Sequence, residues 1–182
     1  MKSDAWTLGL GVFLVLAGAV AWLFQMRKAD HVVVDLVQMY PSAVQQPASQ
    51  PFSILTWKIV GETRTSVMTQ QAGRIRWQTV VPEHAWWTFR VALSEDMWTR
   101  PNAGMRVVAG VAYGDSYDSL ATLNLNPSLD AADRRWRPLE LDLRKYAGLT
   151  VRLIFNVLPL SPASADPNGN MALIGDPRVV TR

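Results

Sequence analysis

An uncharged run near the N-terminus limits this chain more than any other feature. Residues 5–26 read AWTLGLGVFLVLAGAVAWLFQM. About twenty apolar residues, each rising about 1.5 Å in a helix, cross the roughly 30 Å hydrocarbon layer of a bilayer. Trp6 lies near one end of the run, and Trp22 and Phe24 near the other. Amphipathic rings settle at those two headgroup depths. Lys2 flanks one side, and Arg27 and Lys28 the other. The run predicts one membrane-spanning helix, so the chain divides into an anchor, residues 1–28, and a domain, residues 29–182. A cleaved secretory signal is the competing reading, since Ala19-Val20-Ala21 has the small-x-small form of a cleavage site. The apolar run continues past that site through Trp22, Leu23 and Phe24, which favours a retained anchor. Without cysteine there is nothing to acylate, so a lipoprotein is excluded.

One stripe of the expected helix is small: Gly11, Gly18 two turns on, and Ala21. Small residues let helix backbones approach closely in lipid, where packing drives association. These three are the candidate contacts with a partner helix.

The domain of about 150 residues is an ordinary size for one core. The net charge of +3 is small, and arginines are spread along the chain with no basic block. The densest group, Arg134, Arg135, Arg137, Arg144, Lys145 and Arg152, is interrupted by Glu140 and Asp142. It reads as a solvated face, and no nucleic-acid partner is expected. The missing cysteine also excludes disulfides, thiol nucleophiles and Cys-held metal or iron–sulfur groups.

After the anchor, the β-branched segment His31–Met39 reads as a first strand, and Pro41–Pro51 as a Pro/Gln-rich loop or extended crossing segment. Short apolar-rich runs follow: Phe52–Val60, Arg74–Val81, Trp86–Leu93, Met105–Tyr113, Ser119–Asn126, Trp136–Leu143, Thr150–Leu158 and Met171–Val180. Leu139-Glu140-Leu141-Asp142-Leu143 alternates strictly, and Val151-Arg152-Leu153-Ile154-Phe155 puts apolar residues on one face. Such period-two patterns mark strands with one face in a core and one in water. Gly61, Gly73, Pro82, Gly114-Asp115, Gly148 and the stretch 159–170 break the runs. Eight or nine strands at this spacing predict a mainly β domain, a two-sheet jelly-roll sandwich, behind one transmembrane helix.

The segment WRPLELDLRKYAGLTVRLIFNV, Trp136–Val157, resembles the late strands of galactose-binding-like jelly rolls, a superfamily that includes carbohydrate-binding modules and discoidin-like domains. ALIGDPRVV, Ala172–Val180, is similar to their final strand, and VVPEHAWWTFRVAL, Val80–Leu93, to their central strands. The resemblance covers roughly residues 60–180 and implies the fold; the superfamily hosts binding, adhesive and structural roles. The residues themselves assign Asp142 to accept backbone N–H groups at a tight turn, Gly148 to end it with a positive φ, and Tyr146 to fold over the core edge.

Chemistry is sparse. His31 and His84 stand apart, so a histidine-held metal or haem would need outside ligands. No nucleophile-elbow or phosphate-loop pattern is present, and no enzyme activity or cofactor is expected. Asp115, Asp118, Asp130 and Asp133 lie in polar loops and leave a structural calcium open. Of the tryptophans beyond the anchor, Trp86 and Trp87 are adjacent, so on a strand they point to opposite faces. One of them should leave the core and meet a protein partner or a glycan.

The positive-inside rule gives nearly a tie, so the fold resemblance places the domain outside the cytoplasm. The expected location is a bacterial cell (inner) membrane, single-pass. The first functional expectation is a non-catalytic accessory subunit of a membrane complex, for example an electron-transfer or photosynthetic assembly such as an alternative complex III. Its partners would be other membrane subunits and the lipid bilayer. The alternative is a membrane-anchored carbohydrate-binding or cell-envelope adhesion module.

Overall fold

The computed structural model describes residues 30–49, 51–101, 104–160 and 171–182. The expected anchor, with Gly11, Gly18 and Ala21, lies outside the described residues. Among the described residues, no helix is long and apolar enough to cross a membrane.

Among the described residues, eleven strands form two antiparallel sheets. They are β1 (His31–Asp35), β2 (Val44–Gln46), β3 (Phe52–Ile59), β4 (Glu62–Thr69), β5 (Gly73–Val80), β6 (Ala85–Leu93), β7 (Met105–Tyr113), β8 (Ser116–Leu125), β9 (Arg137–Asp142), β10 (Thr150–Pro159) and β11 (Ala172–Thr181). One sheet runs β3-β4-β11-β6-β9, with β1 also paired to β11. β4 pairs with residues 172–175 of β11 and β1 with residues 178–181, so the two share that strand end to end. The other sheet runs β2-β5-β10-β7-β8.

The two-sheet, mainly β expectation therefore holds, and its period-two signal is the cause. In β9, Leu139 and Leu141 pack against the core while Glu140 and Asp142 are exposed. In β5, Ile75 and Trp77 are buried and Arg74, Arg76 and Gln78 face away. Phe155 of β10 is the hub of the core. Its ring centroid lies 4.6 Å from Trp87, 4.8 Å from Phe89 and 6.0 Å from Trp77.

Three boundaries differ from the sequence reading. The first strand stops at Asp35, whose Oδ1 accepts from Val37 N (2.9 Å) and Gln38 N (3.2 Å) and closes a turn there. The Pro/Gln-rich segment contributes β2, a short strand on the edge of the second sheet. β4 went unread because it carries few apolar residues. It forms a hairpin with β3 through the two-residue turn Val60-Gly61, both at positive φ.

The turn after β9 is as the sequence suggests. Asp142 Oδ1 accepts from Arg144 N at 2.9 Å, Gly148 has φ +76°, and Tyr146 is buried. The Tyr146 hydroxyl donates to Asp118 Oδ2 (2.5 Å), which also receives Lys145 Nζ (2.8 Å).

Candidate functional site

Trp86 and Trp87 point to opposite faces of β6, as adjacent strand residues do, and it is Trp86 that leaves the core. Trp87 is wholly buried, among the aromatic rings of the core, and is corrected from a partner- or glycan-binding residue to a core residue. Trp86 is half-buried on the opposite face of β6. The Arg144 guanidinium sits 5.5 Å from its ring centroid and is itself held by Asp142 at 2.6–3.0 Å. One face of the Trp86 ring is thus already covered. Trp77 and Trp136 are buried, and Trp57 and Trp98 are half-buried.

Three of the four loop aspartates are committed to the fold. Asp130 caps a short turn by accepting from Ala132 N, and buried Asp133 accepts from Asn126 N and pairs with Arg137 at 2.8 Å. Asp118 is held by Lys145 and Tyr146. Its carboxyl titrates below the ordinary range, first through the Lys145 hydrogen bond and then through Tyr146. Among the described residues, no group of three or more His, Asp or Glu side chains could hold a metal ion.

The outward face of the β2-β5-β10-β7-β8 sheet carries the surface with the most binding chemistry. Antiparallel register sets its rows. Gln78, Arg152, Ala112 and Tyr117 lie across from one another, then Arg76, Ile154, Gly110 and Ser119, then Arg74, Asn156, Val108 and Thr122. Small residues at Gly110 and Ala112 leave a trough along β7. Tyr117 reaches across it from β8. A Cβ built on Gly110 would lie 2.5 Å from the Tyr117 hydroxyl oxygen, and Asn156 Nδ2 donates to that oxygen at 3.3 Å. The resulting groove has a volume of about 410 Å³ and is lined by Arg74, Arg76, Arg152, Ile154, Tyr117 and Asp115, among others. That volume falls within the range of small-molecule sites, about 300–1,000 Å³.

A β-bulge creates this site. Ala109 pairs with Ala121, but Gly110 pairs with Ser119, so β8 contains one extra residue, Leu120. Before the bulge, odd-numbered Ser119 and Tyr117 face outward; after it, odd-numbered Ala121 and Leu123 pack against the core. An unbulged strand would turn Tyr117 inward, since one slipped residue exchanges the two faces. Gly114, at φ +53°, occupies the first position of the two-residue β7–β8 turn that brings Tyr117 back beside Ala112.

The groove's polar side chains are pre-placed by neutral partners. Arg74 Nε donates to Asn156 Oδ1 (2.5 Å), Arg152 Nη2 to the Gly114 carbonyl (3.1 Å), and in the next row Arg106 Nε to Asn124 Oδ1 (2.9 Å). Amide, guanidinium and phenol groups around a small apolar floor are the hydrogen-bonding and stacking partners that a polyhydroxylated ligand needs. Tyr117 is 47% exposed, so its ring surface is open to such a ligand.

No protein-family model matches the sequence. An uncharacterized protein of Archaeoglobus fulgidus is 32% identical over 101 residues, 54% of this chain and 25% of that protein. The chain thus spans about a quarter of the length of the curated relative it matches. Among solved structures, TmCBM61 in complex with β-1,4-galactotriose is similar with a TM-score of 0.50 and 11% identity, over 77% of this chain and 88% of that one. The C-terminal family 22 carbohydrate binding module of Clostridium thermocellum Xyn10B is similar with a TM-score of 0.49 and 12% identity, over 85% of this chain and 96% of that one. At such identities the likeness is one of fold.

Proposed function

We propose that this chain is a carbohydrate-binding module of the galactose-binding-like, jelly-roll kind, held at a membrane by residues 5–26, with its domain outside the cytoplasm. The observation that carries the proposal is the groove on the outward sheet face. Its floor of Ala112 and Ile154 is apolar, its wall is the Tyr117 ring lying over Gly110, and guanidinium groups surround it. The fold shared with TmCBM61, a protein solved with a bound galactotriose, agrees with that reading. No residue is assigned a catalytic role. The accessory-subunit expectation is set behind this reading because a carbohydrate-binding module shares the fold and the groove carries saccharide-binding chemistry.

The test is calorimetric titration of the full chain, purified in a nonionic detergent, with a panel of β-linked oligosaccharides that includes β-1,4-galactotriose. Binding by the parent and its loss in Tyr117→Ala is the expected result. A panel without a single binder, or full binding by Tyr117→Ala, rejects the proposal.

A further inference from the structure

We infer that the groove takes an anionic saccharide, one bearing uronate carboxylates or sulfate esters along the chain. The inference rests on the saccharide-binding reading and adds the charge of the ligand. Arg74, Arg76 and Arg152 line the groove against a single carboxylate, Asp115, and Arg106 stands one row further along the same face. Among the described residues, none of these four arginines has an acidic partner within ion-pair distance. Elsewhere on the domain, Arg64, Arg137, Arg144 and Arg178 each have one, while Arg90, Arg134 and Arg135 have none among the described residues; what distinguishes the groove is that its arginines stand together on one face. The grouping has a physical consequence. Like charges on adjacent strands repel and destabilise the sheet, and here no internal anion offsets them.

The hydrogen bonds of these arginines leave donors unused. Arg74 and Arg152 each direct one N–H to a neutral oxygen, which fixes the guanidinium plane and frees the remaining N–H groups for a ligand. Arg76 is half-buried in the middle row, between Val44 on β2 and Ile154 on β10. It makes no side-chain hydrogen bond to another described residue. A guanidinium is a planar fork that matches the two oxygens of a carboxylate or sulfate, and charge-assisted bonds of this kind are about twice as strong as neutral ones. Spacing supports a repeating anion. Arg76 and Arg152 lie in adjacent rows on neighbouring strands, and Arg74 lies two residues along β5 from Arg76. A chain crossing the groove therefore meets a cation at each step.

The experiment titrates the detergent-purified full chain with trigalacturonic acid, a sulfated galactose trisaccharide and uncharged β-1,4-galactotriose, at low salt and at about 0.3 M salt, where the Debye length is near 6 Å. The expected result is that at least one anionic trisaccharide binds on the order of tenfold more tightly than the neutral one, with the gap narrowing in salt. The uronate and sulfate arms identify which anion is the ligand. Arg76→Gln and Arg152→Gln should each weaken anionic binding more than neutral binding and so remove most of the preference. Both positions face solvent, so unchanged thermal unfolding certifies the variants. If galactotriose binds as tightly as both anionic sugars, or neither variant changes the preference, the anionic inference is overturned while saccharide binding stands. If no sugar binds, or anionic lipid vesicles bind in their place, the saccharide reading falls with it.

Discussion

Replacing Gly110 with alanine separates the packing account of the groove from a loose resemblance of shape. In an ordinary strand this change favours the folded state by roughly 0.5–1 kcal/mol, because glycine loses more backbone freedom on folding. Here the new methyl would lie 2.5 Å and 2.6 Å from the Tyr117 hydroxyl oxygen and Cζ, and 2.7 Å from the Asp118 carbonyl oxygen. The phenol tip can swing aside. The Asp118 carbonyl is backbone within the β7–β8 ladder and cannot move without disturbing the bulge. Overpacking of this kind costs about 1–3 kcal/mol. Set against the intrinsic gain, the net effect is a loss of between zero and about 2.5 kcal/mol, or a fall in Tm of up to about 10 °C for a domain of this size. Thermal unfolding followed by tryptophan near-UV circular dichroism reads it. The double variant Gly110→Ala/Tyr117→Ala should recover only the part due to the ring, because the carbonyl contact persists. A Gly110→Ala chain stabilised by the full intrinsic gain would refute the close approach of β8 to Gly110.

Three further outcomes follow from the same geometry. Phe155→Ala removes the ring that meets Trp77, Trp87 and Phe89 and should destabilise the domain by about 3–5 kcal/mol in urea unfolding, a loss below about 1 kcal/mol contradicting its place at the hub. Burial, then the bond to Asp118, pushes the Tyr146 hydroxyl above its ordinary value, while Lys145 and Tyr146 hold Asp118 below its own. The unfolded chain therefore releases the tyrosine proton first as pH rises through about 10, and takes up the aspartate proton first as pH falls through about 4. Stability should decline on both limbs, and Tyr146→Phe should flatten the alkaline limb and weaken the acid one; an unaltered alkaline limb would count against the pairing. Val60 sits at φ +47° in the β3–β4 turn, a conformation that a β-branched residue adopts at a cost, so Val60→Asn should stabilise the domain by about 1 kcal/mol, with no gain contradicting the turn assignment.

What could be read in the chain and what could not divide along one physical line. Strands with a single buried face announce themselves, because burial on alternate residues writes a period of two. β9 and β10 did so without ambiguity. The Asp142–Gly148 turn was legible for a related reason: an Asx oxygen and a positive-φ glycine have few other uses at that spacing. β4 was not legible, since it is closed by an unusual Val-Gly turn and six of its eight residues are threonine, serine or charged. Tyr117 was harder still. Its neighbours Asp115, Ser116 and Asp118 read as loop before a strand beginning at Ser119, and its outward direction depends on the extra residue at Leu120, a parity change visible only once β8 is paired with β7. The signal that was present is Gly114-Asp115 between Tyr113 and Ser116, a two-residue hairpin turn that would have extended the strand back to Tyr117. Tryptophans drew attention to themselves by type, yet a ring as large as Trp87 is worth most to a sandwich when buried.

The most direct measurement is a crystal structure of the chain with trigalacturonic acid or β-1,4-galactotriose bound. The account predicts the saccharide across β5, β10 and β7, with a sugar ring against Tyr117 and oxygens within hydrogen-bond distance of Arg76 and Arg152. A saccharide held at the Trp86–Arg144 edge or among the loops, with the sheet face left to solvent, would contradict it.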